Sequence, residues 1–142
     1  MTTTSPPDTS HDHTTLITTA HNLGLRVWWT NQPHAAYSHR HQSIWLPRDL
    51  TNAETRSLLA HEIAHAIHGD NGPQPPHIEA RAWRTAARLL ISETEYRAAE
   101  LLHGPNVGAL AEALDVTAEV IHAYQDTLRT TTWPPPKKKT PH

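Results

Sequence analysis

Leu59-Ala60-His61-Glu62-Ile63-Ala64-His65-Ala66-Ile67-His68-Gly69-Asp70 is the stretch that decides how this chain of 142 residues folds. His61 and His65 are four residues apart. On a helix that spacing puts both imidazoles on one face, one turn from each other. Two neutral imidazoles so placed can grip one tetrahedral metal ion, and Glu62 stands beside them as a candidate base. The surroundings read as helix. Leu58, Leu59, Ile63, Ala66 and Ile67 supply packing side chains. Thr51, with Glu54 three residues later, forms a capping box that predicts the start. Gly69, then Gly72-Pro73, predict the end.

His-Glu-x-x-His is the pattern of a zinc peptidase. The chain has no cysteine, so any zinc must be held by imidazole and carboxylate. That suits a catalytic site better than a thiolate-rich structural one. A hydrolytic site takes three protein ligands and keeps a position for water. Three residues compete for the third place. Glu79 comes first, because the next apolar stripe (Trp83, Ala86, Ala87, Leu90, Ile91) extends one turn back onto it. A carboxylate on an inward stripe is costly unless something satisfies it, and zinc would. His68 lies one turn beyond His65, but three ligands on one straight helix close a tetrahedron poorly. Asp70 follows the helix-ending Gly69, where a turn could bring it back. The residue six after His65 is Asn71 rather than a third histidine, which argues against a metzincin. Glu62 would take a proton from the attacking water and pass it to the leaving amine. His77, His68, Tyr37 and Tyr96 are the polar candidates for stabilising the oxyanion.

Composition bounds the rest. The length fits one domain, with or without a small appendage. A formal net charge of -2 predicts no strong attraction to nucleic acid or anionic membrane. No apolar run is long enough to span a bilayer, and no export signal opens the chain. Cytoplasm is therefore the expected location.

Residues 1–13 and 130–142 are poor in packing side chains, and the second carries Trp133-Pro134-Pro135-Pro136-Lys137-Lys138-Lys139. Both are expected to be disordered tails. Residues 14–23 predict a short helix ended by Gly24. Arg26–Thr30, Ala35–Ser38 and Ser43–Leu46 predict three strands of a small antiparallel sheet. The last could offer a free edge to an extended substrate. A helix is expected from about Ile78 to Ile91, with Arg81, Arg84 and Arg88 on its solvated side. Residues 94–103 predict another helix, and 106–129 two more around a turn, like a helix-turn-helix. That last span holds four acidic residues against one basic, which suits packing or protein docking better than DNA. The expected division is a metallopeptidase core over 14–93 and a helical part over 94–129.

The motif, followed by Glu79-Ala80-Arg81-Ala82 and Ala86-Ala87-Arg88-Leu89-Leu90-Ile91, resembles the ImmA/IrrE metallopeptidases over roughly residues 14–128. The resemblance implies an α+β, minimal gluzincin-like zincin fold. It implies Zn2+ bound by His61, His65 and Glu79, with Glu62 as catalytic acid and base. It also implies a protein substrate, a helix-turn-helix repressor whose cleavage relieves repression. Trp83 and Thr85 depart from the family pattern, which often has an acidic or amide residue and an aromatic at those places. A competing reading is a non-catalytic regulator on the same scaffold, binding a repressor without cutting it. A third, DNA binding through 106–129, conflicts with the acidic balance there.

Overall fold

The computed structural model describes residues 13–130. The tails expected over 1–13 and 130–142 lie, but for His13 and Thr130, outside the described residues. Helix α1 (Thr14–Asn22) buries Leu16 and Ala20. Gly24, at φ +82°, turns the chain into strand β1 (Arg26–Thr30). Strands β2 (Ala36–Ser38) and β3 (Ser43–Pro47) follow. Five helices complete the fold: α2 (Asn52–His68), α3 (Pro76–Leu90), α4 (Glu93–His103), α5 (Val107–Leu114) and α6 (Ala118–Thr130). The architecture is the expected α+β class.

The sheet is mixed, not antiparallel. Its order is β1-β3-β2, with β1 parallel to β3 and β2 antiparallel to it. The reason is burial. In β3 every residue but Trp45 is buried, whereas β1 is largely exposed. The most apolar strand takes the centre, where both its edges are paired. Its register sets Val27 and Tyr37 on either side of Ile44, on one face. Among the described residues, the free edges of the sheet therefore belong to β1 and β2, and the edge expected on β3 is paired on both sides.

Helix α2 begins at the expected capping box, with the Thr51 side chain accepting from the Glu54 N–H and Glu54 accepting from the Thr51 N–H. It ends where Gly69 adopts φ +73°. Gly69 N–H donates to Ala66 O and Asp70 N–H to His65 O, the paired bonds of a Schellman end. Ile67, expected to pack, is half-exposed.

The first half of α2 grips the turn between α5 and α6. Arg56 is buried and donates from Nη1 to the carbonyls of Leu114 (3.0 Å) and Asp115 (2.6 Å). Its cation thus sits at the negative end of α5. Ser57 Oγ accepts from the Thr117 N–H, and Asn52 donates to the Asp115 carboxylate. Arg56→Ala strips the buried Leu114 carbonyl and the half-buried Asp115 carbonyl of their donor, so it is expected to cost about 2–4 kcal/mol. Urea denaturation of the metal-free chain measures this. A loss under about 1 kcal/mol would mean those carbonyls find other partners.

Candidate metal centre

His61 and His65 project together from α2, and both are buried. Helix α3 brings Glu79 to them from its first turn. Pro75 and Pro76 start that helix, with Pro76 at the position where a missing N–H is harmless. Ala82, wholly buried, lets α3 approach α2 closely. Glu79 Oε1 lies 2.9 Å from His61 Nε2 and 3.1 Å from His65 Nε2, and the two Nε2 atoms are 3.1 Å apart. His61, His65 and Glu79 are the group of donors that could hold a metal ion among the described residues.

The other two candidates for the third place are elsewhere. His68 Nε2 meets Thr85 Oγ1 at 2.7 Å. Asp70 stands behind His65, its Oδ2 2.9 Å from Nδ1. The Schellman end accounts for this, since the bond from Asp70 N–H to His65 O folds the aspartate back along the ring. Arg81 donates to the other Asp70 oxygen at 2.9 Å. Arg81 was expected on the solvated face of α3, and its reach inward corrects that reading. The side chain is long enough for a cation on the flank of α3 to meet a buried carboxylate. Nothing in local spacing pairs the two, although Gly69 beside Asp70 hinted at the fold-back.

His61 has no carboxylate behind it. Its Nδ1 is buried without a hydrogen-bond partner among the described residues. Trp83 holds the ring instead, stacked at 4.0 Å between centroids. Trp83 lies four residues after Glu79, so one face of α3 both bonds and stacks on His61. Two departures from the family pattern thus have structural roles: Trp83 orients His61, and Thr85 engages His68.

This donor set fits a divalent metal. The Asp70 carboxylate requires a proton on His65 Nδ1, which leaves a lone pair on Nε2. A second lone pair comes from Glu79. A single proton on His61 Nε2 could satisfy only one of these two, whereas a cation would satisfy both and take a third lone pair from His61 itself. Ligands about 2.0–2.2 Å from a shared tetrahedral centre lie roughly 3.3–3.6 Å from each other, a few tenths of an ångström wider than the 2.9–3.1 Å found.

Glu62 is buried and lines the same cleft. Burial pushes its carboxyl up to about 7, opposed by the His65 charge and helped by that of Glu79. Burial, then the His65 charge, pushes His61 down to about 4, against the pull of Glu79. The cleft measures about 380 Å³, with Ala35, Ala36 and Tyr37 on one side and Gly72 and Pro73 on another. Of the four residues considered for the oxyanion, only Tyr37 lines it. Tyr96 is buried against Tyr124, and His77 is exposed away from the cleft lining.

Residues 20–123 match the Peptidase_M78 family model, described as an IrrE N-terminal-like domain. The chain belongs to this family. Peptidase_M78 points to a metallopeptidase and implies a metal, and the matched span holds every residue of the centre described above. Comparison with curated proteins finds no match. Among the described residues, no helix of this Peptidase_M78 chain is long and apolar enough to cross a membrane.

Proposed function

We propose that the chain is a zinc-dependent endopeptidase that cuts a regulatory protein, such as a helix-turn-helix transcriptional repressor. The observation that supports this best is the convergence of two imidazole nitrogens and one carboxylate oxygen beside a buried Glu62. The choice of a repressor rests on the family resemblance alone.

His61, His65 and Glu79 would hold the ion. Zinc, when bound, supplies a Lewis acid and a water of lowered pKa. Glu62 accepts the water's proton as the water attacks the scissile carbonyl, then gives that proton to the departing amine. Low accessibility keeps bulk water from competing for it. The Asp70–Arg81 pair fixes which His65 nitrogen faces the cleft. The exposed edge of β2, beside the cleft, pairs with an extended substrate. Tyr37 borders the cleft, and its hydroxyl, 3.1 Å from His39 Nδ1, donates to the oxyanion once it leaves that partner. Burial pushes its phenol up, with the Gln42 side chain opposing, so the proton stays on. Tyr37→Phe is expected to lower kcat about 10²–10³-fold with little change in KM, measured on one peptide. An unchanged kcat would remove Tyr37 from the chemistry.

The deciding experiment is metal removal. The purified chain should carry a single zinc and cut a helix-turn-helix repressor or a denatured protein mixture. Chelation should stop the cutting, and added zinc should restore it. Cutting that survives complete chelation, or a chain that takes up no zinc, would sink the reading.

A further inference from the structure

Tyr37 has two sides. One borders the metal cleft, and the other walls a second depression of about 280 Å³. Leu23, Leu25, Ala66 and Ile67 line it, with His39 and Gln42 at its polar end. Among the described residues, no Lys, Arg, Asp or Glu side chain borders it. Leu23 and Ile67 are each about half-exposed, at 47% and 48%. A contiguous apolar depression beside the edge proposed to pair with substrate marks a contact site for an apolar group.

The spacing says what would cover it. From Ala35 and Ala36 to His39, the α2 residues lining the same depression change from His61, Glu62 and His65 to Ala66 and Ile67. Strand and helix advance together there. Ala66 is one turn beyond Glu62, about 6 Å along the axis. An extended chain advances about 6.8 Å for every two residues and points alternate side chains to the same face. A polypeptide paired on β2 with one carbonyl over Glu62 therefore drops a side chain two residues away onto Ala66 and Ile67. We propose that this depression receives an aliphatic side chain of the bound polypeptide, two residues from the bond held over Glu62, and so selects which sites are cut.

This inference rests on the peptidase reading of the metal centre, and the test separates the two. Blocked peptides of randomised sequence are offered to the zinc-loaded chain, and the cut sites are mapped. Leu, Ile or Met should be enriched about tenfold or more at one position, on one side of the cut. Ile67→Glu and Leu23→Glu, both at half-exposed positions, should erase that enrichment and favour Lys or Arg there. A general folding defect would lower all cutting alike and leave the preference unmoved. A second readout needs no cleavage. In the zinc-loaded Glu62→Gln chain, the methyl resonances of Leu23, Leu25 and Ile67 should shift with a Leu-containing blocked peptide and not with its Ala counterpart. Cutting with no preference at that position, indifferent to Ile67→Glu, would overturn the subsite and leave the peptidase reading standing. If the native chain cuts nothing, the peptidase reading fails and the methyl shifts decide alone: shifts with the Leu peptide uphold the subsite, and their absence overturns it.

Discussion

Glu62→Gln is expected to slow peptide-bond cleavage about 10²–10⁴-fold while zinc and partner binding persist. Glutamine keeps the shape of the side chain but cannot accept the water's proton. His61, His65 and Glu79 keep their positions in the variant, because none of them depends on Glu62 for a hydrogen bond. Cleavage at the native rate would remove Glu62 from the chemistry. A regulatory effect in cells that survives the substitution would favour a partner-binding regulator over a peptidase.

The same substitution has a second signature, in stability. Glu62 has an ordinary carboxyl value of 4.5, raised to about 7 by burial. A raised value means that folding favours the protonated form. The stability this group permits is full below 4.5 and declines as pH rises through about 7. Full ionisation costs roughly 3 kcal/mol. In chelator, Glu62→Gln should melt higher than the native chain at pH 8 and nearly level with it at pH 4.5. The depressed His61 pulls stability the other way in acid, but it does so in both proteins and cancels from the comparison. Equal melting temperatures at pH 8 would show that the Glu62 carboxylate is well solvated.

The second large effect concerns metal retention. Glu79→Ala should lose zinc outright, because only two donors remain on α2. Asp70→Ala should keep a zinc bound about 10- to 100-fold more weakly, since it loses the carboxylate behind His65 rather than a donor facing the cleft. Competition with a chromophoric chelator measures both. Glu79→Ala with native affinity would break the proposed ligand set. Asp70→Ala losing zinc as completely as Glu79→Ala would make the aspartate a direct ligand.

Local chemistry made much of this legible from the residues. Thr51 with Glu54, and Gly69, mark both ends of α2. The inward stripe of α3 led back to Glu79, which the structure sets beside the two histidines. What escaped was long-range. Strand order is not written in any one strand, and parallel pairing of β1 with β3 depends on which segment is most buried. Three strands joined by short connections read naturally as a meander. Arg81 falls outside the apolar stripe, so periodicity assigns it to solvent, while its length carries the guanidinium to Asp70. Trp83 and Thr85 looked like departures from a pattern, and only the approach of α3 to α2 shows that they touch His61 and His68.

The position of β3 between two strands made before it has a consequence for synthesis. As the chain emerges from the ribosome, β1 and β2 have no pairing partner until Ser43–Pro47 is out. The motif helix follows at once, but it bears only two of the three donors. The third arrives with α3, whose first turn begins at Pro76. An incomplete copy that stops short of that turn can thus have a paired sheet and both imidazoles and still lack a hydrolytic centre. Competence is acquired more than ten residues after the His-Glu-x-x-His signature has been translated.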